Sequence, residues 1–496
     1  MELIVISDLH LSVGYNDQTG RYSRNEDFFF DEEFKRFLEY LQRAKSPKKH
    51  LIIAGDLFDF LQVDGCKALE LYEKYKKGGA PIKFEITPKE RKFGLGTEED
   101  KTVWKLGVIS DGHPVFFQAL ANFLSEGNCL SIITGNHDIE LYWPQVQEAL
   151  RDRIANLFEN TSMTKQQQQQ KKESIKALID FYPWFYYDKS HKAYIEHGNQ
   201  YDPLNSFQYF LCPLVGPESD KLLLPIGSFF VRYFFNKLEA SDPFADNIKP
   251  PTKYMLWAWK EDKLQFLKTV LRYLPTMWGV YKKGGKLSGD DKKYLEKQNK
   301  EELGKLPDKL ELDQKQLEGV NNIYFLMTPP FTSKKLRIIL HFAGTISFIL
   351  TPIVFIVLFV LSRLFNFSFW MVLSSLGLLI VPIAKWAYSK FFKKDRLKKV
   401  LQEIKEHLKN VGIDVQTIVF GHTHDPDIRI VASDCKYFNT GTWTTVFSEE
   451  ERIIREAKQF AFVWIKEEEG KTQATLNRWN DSLKQPEKLI LFEPKS

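Results

Sequence analysis

Five short stretches of this chain carry residue types that bind divalent cations: Asp8-Leu9-His10, Gly55-Asp56-Leu57-Phe58-Asp59, Gly135-Asn136-His137-Asp138, His197-Gly198 and Gly421-His422-Thr423-His424. Their donors are carboxylate, imidazole and amide oxygen, a set suited to Mn²⁺, Fe or Zn²⁺, and no thiolate is offered. One such motif means little alone. An Asp-x-His can cap a loop, a Gly-Asp-x-x-Asp is an ordinary turn sequence, and two histidines at alternate positions can share one face of a strand. Taken together, the five supply enough donors for two ions, and a pair of ions needs one bridging carboxylate, for which Asp56 is the natural choice. Two ions a few ångströms apart hold a phosphoryl group, generate a nucleophile near neutral pH and stabilise the leaving oxygen.

Such donors must be held at the ends of rigid elements, and the surrounding sequence has them. Residues 2–7, 50–54, 130–134, 193–196 and 415–420 are short, β-branched runs, and each ends at a cation-binding motif. Between them, Glu32–Arg43 places Phe34, Phe37, Leu38 and Leu41 at helical spacing, and Val115–Leu124 is patterned alike. Strand, loop, helix, strand is an α/β pattern. With 496 residues, 43% of them apolar and 27% charged, the chain can bury a large core and is long enough for more than one structural unit. A net charge of +5 gives no argument for a nucleic-acid partner.

In their order and spacing, the five motifs resemble the signature of the calcineurin-like metallophosphoesterases. The resemblance covers about residues 1–60, 111–200 and 411–445. It implies an α/β fold of two mixed β-sheets sandwiched between helices, and hydrolysis of a phosphomonoester, phosphodiester or pyrophosphate with two divalent ions, Mn²⁺ being the first expectation. By matching position it assigns Asp8, His10 and His424 to one ion, Asn136, His197 and His422 to the other, and Asp56 to both. His137 would stabilise charge on the phosphoryl or leaving oxygen or donate a proton to it, with Asp138 orienting the ring and Asp59 supporting from behind. A narrower likeness rests on Ser7-Asp8-Leu9-His10-Leu11, Gly55–Phe60 and Gly421–His424. These segments are similar to those of UDP-2,3-diacylglucosamine hydrolases, and so suggest a nucleotide-linked lipid as substrate.

The rest of the chain departs from that family. The expected organisation is a first catalytic part over 1–200, a helical and charged insertion over 201–336 that could form a lid, a helical hairpin over 337–388, and a last catalytic part over 389–496. Ile338–Leu361 and Phe367–Ala384 are 24 and 18 residues without a charge. A bilayer core needs roughly 20 helical residues, so the pair is read as a transmembrane hairpin. Lys334, Lys335 and Arg337 precede it and Lys385, Lys390, Lys393, Lys394, Arg396, Lys398 and Lys399 follow it, which predicts a multi-pass membrane protein with its catalytic domain facing the cytoplasm. Leu222–Phe235 reads equally as an interfacial segment or as core.

The opening residues carry no basic leader, and Cys66, Cys129, Cys212 and Cys435 are scattered, so a reducing cytoplasm is expected for the bulk of the chain. The glutamine tract Lys165–Lys172 is expected to be exposed. His197-Gly-Asn-Gln-Tyr-Asp202 and Asn439-Thr-Gly-Thr-Trp443 extend two motifs with polar groups, for which turn chemistry and core packing are the simpler account. Arg24 and His113 are read as a solvated arginine and a helix-start histidine.

The functional expectation is a membrane-anchored phosphoesterase acting on a phosphorylated small molecule or lipid. Its alternatives are an anchored phosphodiesterase or protein phosphatase with soluble substrates, and a non-catalytic membrane scaffold or sensor. Nothing in the sequence fixes the oligomeric state.

Overall fold

The structure is a computed structural model and describes residues 1–16, 20–23, 25–43, 47–63, 84–225, 227–228, 231–232, 289–309, 312–327, 396–445, 459–489 and 491. The strands are β1 (Glu2–Ile6), β2 (Tyr15–Asn16), β3 (Arg21–Tyr22), β4 (Lys49–Ala54), β5 (Cys129–Ile133), β6 (Ile179–Tyr182), β7 (Phe185–Asp188), β8 (Ala193–Glu196), β9 (Thr417–Phe420), β10 (Asp427–Ala432), β11 (Cys435–Asn439), β12 (Ala461–Glu468), β13 (Lys471–Asn480) and β14 (Gln485–Lys488). The helices are α1 (Asp31–Arg43), α2 (Pro88–Phe93), α3 (Glu99–Gly112), α4 (Pro114–Ser125), α5 (Pro144–Asn156), α6 (Lys165–Lys176), α7 (Gly289–Lys309), α8 (Gln314–Leu326) and α9 (Arg396–Asn410).

Two mixed sheets result. The first has the order β14-β13-β12-β1-β4-β5-β6, with β1, β4, β5 and β6 parallel and the β12–β14 meander antiparallel. The second has the order β10-β11-β9-β8-β7, in which β8, β9 and β11 are parallel.

Alternation along each strand decides what it packs against. Leu3 and Val5 of β1 join Ile52, Ile133, Ile195 and Val419 in a core between the sheets. Ile4 and Ile6 face the other way and join Phe34 and Phe37 of α1 and Phe116 and Leu120 of α4. On the outer side of the second sheet, Ile418, Phe420 and Tyr437 pack with Val320 and Ile323 of α8 and with Leu401, Ile404 and Leu408 of α9. The order of layers is helix, sheet, sheet, helix, and strands buried on both faces explain the unbroken apolar runs.

The glutamine tract forms α6, closed by a capping box between Thr164 and Gln167, with Ile175 as its buried residue. Within the 201–336 stretch, Leu211, Leu222, Leu224, Leu303 and Leu306 share the core of the second sheet, so Leu222 and Leu224 serve as core rather than as an interfacial segment.

The membrane expectation is corrected. Among the described residues no helix is long and apolar enough to cross a membrane, so the transmembrane hairpin and the multi-pass localisation with a cytoplasm-facing domain are not supported. The segments 338–361 and 367–384 on which they rested lie outside the described residues. The basic flank has a different account where it is described. Lys398 and Lys399 lie on the exposed face of α9, whose apolar face, Val400, Leu401, Ile404 and Leu408, covers the second sheet.

Candidate metal centre

Five parallel strands set the site. β1, β4 and β5 of the first sheet and β8 and β9 of the second each end one or two residues before a motif, so all five motifs emerge at C-terminal strand ends, where α/β sheets open a crevice. Cross-links draw the loops together. The amide of Asp8 donates to Gly55 O at 3.1 Å, Leu9 and His10 donate to Asp56 O, and Gly421 donates to His197 O at 3.0 Å. Thr442 Oγ1 donates to Asp8 O at 2.7 Å, and Trp443 is buried among Phe34, Phe37 and Phe460. The Asn439–Trp443 stretch thus anchors the first motif from behind.

The turns are tight enough to need left-handed backbone at several donors. Asp8, His10, Asp56, His422 and His424 have φ values of 54°, 54°, 52°, 68° and 58°. Asp tolerates this region better than most residues, but each such position costs on the order of 1–3 kcal/mol and persists where the surroundings impose it.

Among the described residues, the expected donors gather in two groups, and a third cluster, His10, Asp59 and His137, adjoins the first through His10. In the first, Asp8 Oδ1 is buried, accepts no hydrogen bond and lies 3.1 Å from His424 Nε2. His10 Nε2 is 3.1 Å from His424 Nε2 and 3.9 Å from Asp8 Oδ1. In the second, His197 Nε2 is 3.1 Å from Asp56 Oδ2 and 3.2 Å from Asn136 Oδ1, and the ligand atoms of Asp56, His197 and His422 lie within 4.8 Å of one another. Asp56 Oδ2 is also 3.8 Å from His10 Nε2, so this carboxylate faces both groups.

These atoms fit divalent cations. Imidazole nitrogens converge on one another and on carboxylate oxygens, one of which has no donor, an arrangement that a positive ion between them satisfies. The outer nitrogens are tied down as ligands require. His197 Nδ1 donates to Ala54 O at 2.8 Å, which leaves the Nε2 lone pair facing the centre.

The electrostatics point the same way. Burial works against charge on Asp56, yet His197, His137 and His10 hold its carboxyl far below the usual range. Asp8 behaves alike against its burial, under His424 and His10. Burial likewise disfavours charge on His197, but Asp56 and Asp8 carry its pKa up to about 9. The carboxylates of Asp56 and Asp8 raise this imidazole's proton affinity, and a divalent cation would take the place of the proton.

His137 stands at the rim, its side chain 13% exposed against 2% for Asp56. Its amide donates to Asp56 Oδ1 at 2.8 Å, and its Nδ1 lies 2.5 Å from Asp59 Oδ2. It is Asp59, rather than the expected Asp138, that lies against this ring, and it also faces His10 Nδ1 at 3.6 Å. Asp138 instead accepts from the backbone of Gly135 at 2.7 Å and Leu57 at 2.8 Å, and burial together with the charge of Asp56 pushes its pKa up to about 7.

The donors expected from the motifs thus come together at the C-terminal ends of these strands. A further residue meets them that the motifs did not single out as a partner: Asp202, whose Oδ2 is 3.1 Å from His422 Nε2. The likeness of His197–Asp202 to an ordinary turn hid it. His113 stands at the start of α4, as its helix-start reading expects, and is buried between Glu26 and Asp31.

No family model, no curated protein and no solved structure matches this chain.

Proposed function

We propose that the chain hydrolyses phosphoester or pyrophosphate bonds with the help of two divalent cations. One observation carries this reading: seven donors from five strand ends converge in two groups joined at Asp56. Asp8, His10 and His424 would hold one ion, Asn136, His197 and His422 the other, and Asp56 both. Mn²⁺ suits the donors first, and Fe or Zn²⁺ is accepted by the same set. Bound there, the ions would supply the Lewis acidity that activates water and neutralises phosphoryl charge.

The chain's own residues do the rest. Asp59 holds His137 by Nδ1, which leaves Nε2 as the nitrogen that donates a hydrogen bond or a proton to the oxygen of the departing group. Because Asp59 also faces His10, a single buried carboxylate keeps the acid and a ligand in register. Asp138 braces the turn that carries Asn136 and His137 by accepting the Gly135 and Leu57 amides.

The test is hydrolysis by purified chain, stripped of metal and reloaded with Mn²⁺, Fe²⁺ or Zn²⁺. The panel spans p-nitrophenyl phosphate, bis-p-nitrophenyl phosphate, a phosphopeptide and UDP-linked pyrophosphates with and without a lipid chain. Metal-dependent turnover of at least one class is expected, with the preferred class naming the substrate chemistry. No turnover of any of them with any of the three ions overturns the reading.

A further inference from the structure

A histidine that ligates a cation with one nitrogen must have the other nitrogen held, because the partner of the outer N–H fixes both tautomer and ring direction. For His197 that partner is a backbone carbonyl, Ala54 O, at Nδ1. For His10 it is the Asp59 carboxylate, 3.6 Å from Nδ1. For His422 the nitrogen that faces a carboxylate is Nε2, which lies 3.1 Å from Asp202 Oδ2.

Asp202 has the marks of a fixed support. It follows the His197 motif by five residues, at the end of a one-turn 3-10 segment, Asn199–Tyr201. Leu204 N donates to its Oδ1 at 2.9 Å, and Asn205 Nδ2 donates to its Oδ2 at 2.8 Å. Its own carbonyl accepts from the amides of Asn205 at 3.1 Å and Ser206 at 2.8 Å. The loop continues into the same fabric: Asn199 Nδ2 donates to Asn205 O at 2.9 Å, and Phe207 N donates to Gln200 Oε1 at 3.1 Å. Both carboxylate oxygens are thus pinned before His422 is considered. Among the described residues, the ligand atoms within 4.8 Å of one another on this side are those of Asp56, His197 and His422, and Asp202 is outside that set. It stands behind the histidine rather than among the donors.

We propose that Asp202 is a positioning residue of the centre: it accepts the Nε2 proton of His422 and thereby turns the Nδ1 lone pair toward the ion shared with Asn136 and His197. This rests on the two-cation reading above. A carboxylate in this place does more than a carbonyl, since it also makes the imidazole a stronger donor to the ion. It ties the second ion to the His197–Asn205 turn, so the fourth and fifth motifs support one ligand jointly.

The experiment is calorimetric titration of metal-free protein with Mn²⁺ alone, for wild type, Asp202→Ala, Asp202→Asn, His422→Ala and the double variant Asp202→Ala/His422→Ala. Asp202→Asn keeps the shape of the side chain and an acceptor oxygen, so it preserves the loop. Wild type is expected to bind two ions. Asp202→Ala is expected to weaken one of them about 10–100-fold and to leave the other unchanged, with Asp202→Asn in between. Because Asp202 acts through His422, adding Asp202→Ala to His422→Ala is expected to change Mn²⁺ affinity less than about twofold, as non-additivity within a contacting pair requires. Wild-type affinity for both ions in Asp202→Ala and Asp202→Asn overturns the inference. So does a loss that persists undiminished in the His422→Ala background, which would make Asp202 a general prop of the loop or a ligand in its own right. A wild-type chain that binds fewer than two ions overturns the two-cation reading itself and is told apart by that measurement alone.

Discussion

Asp59 lies against the imidazoles of His10 and His137, whereas Asp138 accepts backbone N–H groups of Gly135 and Leu57. Both carboxylates are buried within a few residues of a cation-binding group, yet they serve different ends: one directs side chains, the other holds a turn. On the proposed reading, ion binding and proton transfer fall to different side chains, Asp56 and His137, and that separation can be measured. His137→Ala is expected to retain two Mn²⁺ while turnover of the best panel substrate falls about 10²–10⁴-fold, the usual weight of a general acid. Asp56→Asn is expected to lose ions outright, because it removes the charge that faces both groups. Metal content of the two purified variants decides the matter, and equal loss in both would undo the separation. Donor types at strand ends make the five motifs legible, but the choice of Asp8, His10, Asp56, Asn136, His197, His422 and His424 among their residues comes from the resemblance to the calcineurin-like metallophosphoesterases. Which carboxylate reaches the His137 ring was not legible. That depends on how the turns after β4 and β5 lean on each other, and residue order does not encode it.

Elements position these residues through close approaches of backbone to side chain, and glycine is what permits them. Gly55 has φ +87°, and a Cβ there would lie 2.3 Å from His197 Nδ1, the atom that donates to Ala54 O. Gly55→Ala therefore meets two penalties at once, a left-handed backbone and an overlap with the His197 ring from the other sheet. We expect it to lower stability by about 1–3 kcal/mol in urea denaturation and to weaken Mn²⁺ binding by turning His197. Wild-type stability together with wild-type affinity would refute this account of the sheet-to-sheet contact. The strands themselves were readable within a residue or two, since β1, β4, β5, β8 and β9 are buried on both faces and appear as bare apolar runs. Helix α1 was legible for a complementary reason: its buried Phe34, Phe37, Leu38 and Leu41 recur at helical spacing. The meander β12–β14 was not anticipated. Its segment Lys466–Thr472 is dominated by Lys and Glu, and pairing of Lys466–Glu468 with Lys471–Gln473 across the Glu469–Gly470 turn, rather than local propensity, makes its arms strand.

At the scale of the whole molecule, apolarity told that a segment is buried but not against what. Leu222 and Leu224 were equally consistent with a lipid interface, and they pack under the second sheet, because any apolar stripe is satisfied by whichever surface the fold brings to it. Charge burial, by contrast, leaves a signature that global unfolding reports. His113 is fully buried at the start of α4, with Nε2 3.3 Å from Glu26 and Nδ1 3.1 Å from Asp31 at the start of α1, so it joins three separate segments. Burial alone would keep the ring neutral, but the charges of Glu26 and Asp31 push its pKa up to about 9. In the unfolded chain the value returns to about 6.5. The folded protein therefore binds this proton more tightly, and the resulting stability is complete below pH ~6.5 and disappears as pH rises through about 9. The contribution is about 3 kcal/mol. Denaturation of metal-free protein across that window is expected to show a decline in wild type and a flatter profile in His113→Gln, which cannot take up the proton. Parallel profiles for the two would mean that His113 stays neutral in the fold, held by hydrogen bonds rather than by charge.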